Sequence, residues 1–257
     1  MREIDQVRAY WDARPCNVLH SDKPVGSSGW SHDVSIRKYF VERHIREFVD
    51  FPSWKNKTVL EIGCGIGTDS CRFAHEMAIV TAVDLSPESL RIAQTRVRNY
   101  MVPIEFIEAD AERLDEHLLQ ERYDLIYCFG VLHHTPNPER ALAQMRKFAG
   151  PGTTLKVMVY HRWSWKALRI WLGLDQPEAQ AGCPIARTYS RKTARKLIKD
   201  AGFRVTEMQV DHIFPYSIPE YISHKYKKVW YFRWIPRPLF RLLERTIGWH
   251  LLITATV

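Results

Sequence analysis

From Val59 to the end of the chain, short apolar runs alternate with stretches of helical periodicity, which is how a parallel sheet with crossover helices reads. The runs predict strands at Thr58–Ile62, Ile79–Asp84, Ile104–Glu108, Tyr123–Phe129, Thr154–Tyr160, Phe203–Val210 and Leu251–Val257. Between them the pattern predicts helices over Thr68–Met77, Pro87–Tyr100, Ala111–Leu119, Pro138–Phe148 and Arg191–Ala201. Ser190 suits the N-cap of the last of these and Gly202 lies just past its end. Ahead of the sheet, Val34–Val49 reads as one amphipathic helix after a Gly/Ser-rich loop at Pro24–Gly29. The fold expected is α/β: a doubly wound, seven-stranded, mostly parallel sheet with helical and loop additions that form a lid.

Four strand ends carry chemistry. The first runs Thr58-Val-Leu-Glu-Ile-Gly-Cys-Gly-Ile-Gly67, a strand entering a glycine turn that opens a helix. Glycines there let the backbone approach a ligand that side chains would block. The second strand ends at Asp84, whose carboxylate can accept both hydroxyls of a ribose. The third leads into Glu108-Ala-Asp110-Ala-Glu, suited to hold an adenine amino group through Asp110 and the backbone of Ala111. The fourth ends Cys128-Phe-Gly-Val-Leu-His-His134. A glycine turn alone also fits a dinucleotide dehydrogenase, but that turn runs Gly-x-Gly-x-x-Gly and this one Gly-x-Gly-x-Gly.

This succession resembles the class I S-adenosylmethionine (SAM)-dependent methyltransferases, in the small-molecule branch with Leu-His-His after the fourth strand. The resemblance covers Thr58 to about Tyr160. It implies SAM as cofactor, with Glu61, Gly63, Gly65 and Gly67 at its methionine and ribose portion, Asp84 on the ribose, and Asp110 with Ala111 on the adenine. Cys64, Leu85 and Phe129 flank these positions and complete the expected cofactor set. The resemblance also implies that the last strand lies antiparallel between its neighbours.

Methyl transfer is an in-line displacement, so positioning supplies much of the acceleration. A nucleophile with a proton to lose also needs a base, and histidine titrates in the right range. His134 is the first candidate, with His133 and His161 behind it; packing or capping is the bland alternative. His134, His161 and His212 each follow a strand end, so a three-histidine metal site is conceivable. Substrate-pocket histidines explain the pattern equally well, and no metal is expected. Cys64, Cys71 and Cys128 read as packing residues, while Cys16 and Cys183 fall in loops that could meet over the site. Tyr10, Trp11, Arg14, Arg187, His212 and Tyr216 are the expected substrate contacts.

Charge sharpens the picture. The chain has 257 residues and net charge +8, yet Val59–Tyr160 holds ten Lys and Arg against fourteen Asp and Glu. The basic excess lies in His161–Asp200, at +6, and Pro215–Trp249, at +5. Topology sends the segments after the fifth and sixth strands out at the carboxyl edge, where ligands bind. Residues 161–188 and 215–249 should therefore cover the site, as should the N-terminal lid and helix of residues 1–57. The core is residues 58–160, and residues 161–257 complete one structural domain. A charged start, no long apolar run and five scattered cysteines suggest a cytoplasmic protein.

The function expected is methyl transfer from SAM to an O or N atom of a small, anionic metabolite. An RNA methyltransferase and one acting on a lipid or membrane-associated acceptor are the alternatives; thiolate-dependent arsenic-type methylation and a non-catalytic SAM-binding role rank lower. Nucleic acid is not expected as a partner, because the fourth strand lacks the Asn/Asp-Pro-Pro-Tyr and Pro-Cys motifs of base methyltransferases. Neither RNA nor anionic vesicles are expected to bind near physiological salt.

Overall fold

The computed structural model describes residues 2–119, 122–175 and 182–257. Three helices precede the sheet: α1 (Glu3–Ala13), α2 (Ser28–Val41) and α3 (His44–Val49). The single helix expected over Val34–Val49 is two, broken at Glu42. Ser27 caps α2, its Oγ accepting from the Trp30 amide at 3.1 Å, so this helix begins inside the Gly/Ser-rich loop. Trp30 and Val34 of α2 pack with Ile66 and Ile92, whereas Ile45, Phe48 and Val49 of α3 join a different core cluster against the sheet. Tyr39, near the end of α2, already belongs to that second cluster, and the turn at Glu42 carries the chain on along it.

The alternating part follows as β1 (Thr58–Ile62), α4 (Thr68–His75), β2 (Ile79–Asp84), α5 (Pro87–Tyr100), β3 (Ile104–Glu108), β4 (Leu125–Phe129), α6 (Pro138–Lys147) and β5 (Thr154–His161). Then come α7 (Trp165–Trp171), β6 (Thr188–Tyr189), α8 (Arg191–Asp200) and β7 (Arg204–Asp211). The chain closes with α9 (Ile218–Ile222), α10 (Trp230–Arg233), α11 (Arg237–Ile247) and β8 (His250–Thr256). Pro and a side-chain cap start several helices: Ser86 and Pro87 begin α5, Asn137 and Pro138 begin α6.

The helix expected over Ala111–Leu119 is only a 3-10 turn at Leu114–Glu116. The Asp110 carboxylate accepts from the Glu112 amide at 2.9 Å, and the Glu112 carboxylate is held by the Asn137 amide at 2.6 Å. These bonds fix the segment in a turn, from which Leu114 and Leu118 still reach the core.

The sheet runs β3-β2-β1-β4-β5-β8-β7, with β8 antiparallel to both neighbours as expected. Among the described residues it has eight strands, one more than expected, because β6 pairs parallel with the end of β5 (Tyr160 opposite Thr188). That short strand anchors the end of the basic segment that the sequence left entirely to the lid. Strand alternation divides the core between two faces. Leu60, Ile62, Ile126 and Cys128 pack against Ala141 and Leu142 of α6 and Ile198 of α8. Val59, Leu125 and Tyr127 pack against Ile45 of α3 and Phe73 of α4.

Candidate active site

At the carboxyl edge of this sheet lies a cavity of about 1340 Å³. This exceeds the roughly 300–1,000 Å³ usual for a single small-ligand pocket. All three segments expected to cover the edge contribute to it. Trp11 and Cys16 come from the N-terminal part, Trp165 and Arg169 from α7, and Tyr216, Tyr231 and Trp249 from the connection between β7 and β8.

The glycine turn forms one wall. Gly63, Gly65 and Gly67 all have positive φ, and a Cβ on Gly63 would stand 2.0 Å from Val131 Cγ2. Around Gly65 the space is open: no atom lies within 4 Å of where its Cβ would be. The Asp84 carboxylate lines the same wall and accepts from the Gly65 amide at 2.7 Å and the Ser86 amide at 2.9 Å. Burial raises its pKa, and the backbone bonds oppose that rise. Leu85, Asp110, Ala111, Cys64 and Phe129 also line the cavity, so these expected cofactor contacts are brought together. An open glycine backbone beside a buried carboxylate fits a ribose and its sulfonium arm.

Glu61 and Gly67 stand outside the lining. Glu61 lies beneath the turn, where Ser70 Oγ donates to its carboxylate at 2.5 Å. Burial and the neighbouring Asp69 carboxylate push its pKa up to about 8. Asp69 is held by Lys38 at 2.8 Å and by the hydroxyls of Tyr39 and Tyr127. These side chains form a floor for the turn. Gly67 packs against Ala93 of α5.

The N-terminal helix closes the cofactor side. Asp12 of α1 accepts from Ser86 Oγ at 3.0 Å and from the Glu88 amide at 2.9 Å, joining α1 to the start of α5. No sequence signal marked this carboxylate; it becomes visible only when the two helix ends meet. Ile4 and Val7 of α1 line the cavity together with Asp110.

The candidate catalytic histidines separate. His134 lines the cavity, with its ring edge against Trp11 at 5.1 Å between centroids. Its Nδ1 lies 2.5 Å from the Ile185 carbonyl, which can only accept, so Nδ1 carries the hydrogen. Nε2 is then the basic nitrogen, 3.5 Å from Tyr160 Oη. His133 is fully buried behind Tyr160, with ring centroids 3.6 Å apart and neither ring nitrogen hydrogen-bonded. Burial holds its pKa well below the ordinary histidine range. It is a packing residue, not a contact with substrate. His161 is likewise turned inward, its Nδ1 3.3 Å from the Gly248 carbonyl, and is outside the lining.

Among the expected substrate contacts, Trp11, His212 and Tyr216 line the cavity. Tyr10 is buried beneath Trp11, and the Arg14 guanidinium lies 5.1 Å over the Tyr10 ring. Arg187 donates to the Pro136 carbonyl at 2.8 Å on the surface. These three do not reach the cavity. Basic side chains that do are Arg37, Lys38, Arg169 and Lys166, none of them singled out by the sequence, and of these Lys166 of α7 lies beside Trp249. Burial lowers its pKa, its ammonium lies 5.4 Å over the Trp249 ring, and no ion pair to it occurs among the described residues. Cys183 Sγ is 3.5 Å from His134 Nδ1, and Cys16 lines the cavity. Cys64, Cys71 and Cys128 are buried, as expected of packing residues.

Residues 59–152 match a protein-family model described as a methyltransferase domain. Among curated relatives, an uncharacterized protein of Synechococcus sp. is 33% identical over 158 residues, 60% of this chain and 36% of that protein. The ubiquinone biosynthesis O-methyltransferase of Coxiella burnetii is 31% identical over 133 residues, 51% of this chain and 53% of that one. The chain thus spans about half or less of the length of these relatives. Among solved structures, magnesium protoporphyrin IX methyltransferase from Synechocystis PCC 6803 with bound SAH (S-adenosylhomocysteine) gives a TM-score of 0.63 at 16% identity, covering 99% of both chains. The cyclase SpnF gives 0.63 at 16% identity, covering 98% of this chain and 96% of that one. At such identities the likeness is one of fold, and the reaction has to be argued from the site.

Proposed function

We propose, from the premise that residues 59–152 are a class I SAM-dependent methyltransferase domain, that the whole chain moves the SAM methyl group to an O or N atom of a small-molecule acceptor with an apolar body and an acidic group. The observation that carries this reading is the continuity of the cavity. It passes from the glycine turn, past Phe129 and His134, into a lobe walled by Tyr160, Trp165, Tyr216 and Trp249, with Lys166 among them. SAM fills the first part, and the aromatic lobe is left for the acceptor. Lys166, which makes no ion pair among the described residues and feels only the more distant Asp175 carboxylate, supplies a counter-charge for an acidic group on that molecule.

SAM supplies an electrophilic methyl on a sulfonium. The protein's part is to hold the acceptor in line, exclude water and take up a proton. His134 is placed for the last task, since the Ile185 carbonyl fixes its tautomer and leaves Nε2, beside Tyr160 Oη, as the accepting nitrogen. Incubation with methyl-labelled SAM and a fractionated cell extract tests the reading. Label should enter an acidic, solvent-extractable small molecule, and Lys166→Met should raise the KM for that acceptor with little change in SAM affinity. Label recovered in RNA or protein would overturn it.

A second reading, a membrane-borne acceptor, is favoured by the outer face of the lid. Trp163, Trp171, Trp230 and Trp234 are 69% to 81% exposed, in segments rich in Lys and Arg. Tryptophan beside basic side chains suits the interface of an anionic bilayer. The aromatics of residues 215–249 thus divide, Phe232, Phe240 and Trp249 packing inward and Trp230 and Trp234 outward. Among the described residues no helix is long and apolar enough to cross a membrane. Co-sedimentation with anionic vesicles, lost when Trp230 and Trp234 become Ala, would support this reading. Absence of sedimentation at low salt would remove it.

A further inference from the structure

The wall of the cavity beyond Phe129 holds a cluster that neither the cofactor site nor the methyl transfer uses. His44 opens α3, His212 follows β7 and His250 opens β8, and the three rings meet with centroids 4.5 to 5.2 Å apart. His44 Nε2 lies 2.9 Å from His250 Nδ1, and the Glu42 carboxylate is 4.0 Å from that same Nδ1. One ligand atom from each of Glu42, His44 and His250 lies within 4.8 Å of the others. Glu42, His212 and His250 line the cavity, and the His44 and His250 rings lie 6.2 and 5.6 Å from Phe129.

The fold assembles this cluster from distant pieces. The break between α2 and α3 sets Glu42 and His44 side by side, and the placement of β8 between β5 and β7 puts His250 opposite Tyr160 and Asp211. His212 adopts a left-handed backbone, φ +72°, which a non-glycine residue holds only where the surroundings impose it. Burying three imidazoles for one hydrogen bond between two of them is poor use of their polarity. Of the nearby cations, Lys38 has Asp69, Arg43 has Glu244, and Arg241 has Asp211, Glu244 and Glu47, while Lys166 has no ion pair among the described residues.

We propose that Glu42, His44 and His250 form a divalent-cation site of the zinc type on the acceptor side of the cavity. Two imidazoles and a carboxylate suit Zn²⁺, Fe²⁺ or Co²⁺, with the fourth position open to the cavity and His212 at its rim. Metal–nitrogen bonds of about 2.0–2.1 Å in a tetrahedron separate the two nitrogens by about 3.3 Å. The present 2.9 Å contact therefore needs to open by only a few tenths of an ångström as metal replaces the shared proton. The ion's use in catalysis rests on the methyltransferase reading; its binding does not. Bound there, the ion would make a hydroxyl of the acceptor more acidic; the proton would still leave to the base, His134, as the oxygen bonds the SAM methyl carbon and the carbon–sulfur bond breaks to leave SAH.

The test is metal titration of the full chain after chelator treatment, with Zn²⁺ followed by calorimetry and Co²⁺ by visible absorption. The expected result is one equivalent per chain, with the absorption of four-coordinate cobalt. His44→Gln and His250→Gln should each weaken binding by at least tenfold while leaving SAM affinity, measured in parallel, unchanged. If either histidine variant fails to fold, Glu42→Gln, at the more exposed edge, should show the same loss. No saturable binding of either ion, or binding unaffected in the folded variants, would overturn the site. SAM binding reports separately on the methyltransferase reading, so the two failures are distinguishable.

Discussion

The Asp84 carboxylate and the Gly65 amide are joined at 2.7 Å, which ties the end of β2 to the glycine turn after β1. One group thus shapes the turn and, in the proposed SAM site, would offer its remaining lone pairs to the ribose. Asp84→Ala should cost about 2–4 kcal/mol of SAM binding, since bonds to a charged acceptor are the strong kind. Calorimetry with SAM on the folded variant checks this. Asp84→Asn, which keeps one acceptor, should fall between the two.

Gly63→Ala tests the turn from the other side. The left-handed backbone costs a side-chain residue about 1–2 kcal/mol, and the new Cβ meets Val131 Cγ2. SAM affinity and melting temperature should both fall. Adding Val131→Ala should recover the part due to collision but not the part due to φ, so the double variant should melt between Gly63→Ala and wild type.

Adjacent histidines should give opposite results. His134→Ala should lower kcat by about 10²-fold or more with SAM affinity nearly intact, because a positioned base acts in the transition state. His133→Ala should instead lower stability, since its ring fills space against Tyr160. Steady-state kinetics and thermal melts on both variants make the comparison. Wild-type turnover in His134→Ala would return the base to another group.

His133 also predicts a pH dependence. Its ring stays neutral in the folded protein far below the usual histidine pKa, while in the unfolded chain it takes up a proton near 6.5. The unfolded state therefore binds more protons below that pH. Stability from this group is present above 6.5 and is lost as pH falls, at up to about 1.4 kcal/mol per pH unit. Urea unfolding of His133→Leu between pH 7 and 5 should show a shallower loss than wild type.

The cofactor half of the site was readable because each of its residues sits at a strand end, where two-residue alternation and a turn fix its place. Asp84, Asp110 and Gly65 lie where the pattern put them. The acceptor half was not, because its residues come from the additions, whose order in space the sheet does not dictate. Arg187 and Arg14 looked like substrate contacts by charge, yet one bonds a surface carbonyl and the other lies over Tyr10. Lys166 looked like any lid lysine until α7 packed it beside Trp249. His44 and Glu42 were hidden inside what reads as one continuous helix, because the apolar pattern runs on unbroken from Tyr39 through Ile45 and Phe48, which share one cluster across the turn.

The most direct test of the account is a crystal structure of the chain with SAH. The account predicts the ribose hydroxyls on Asp84, the adenine beside Asp110 and Ala111, and the sulfur facing a lobe that contains His134, Tyr160 and Lys166. A molecule bound with its sulfur turned away from that lobe, or a lobe closed by the lid with no room beside the sulfur, would contradict it.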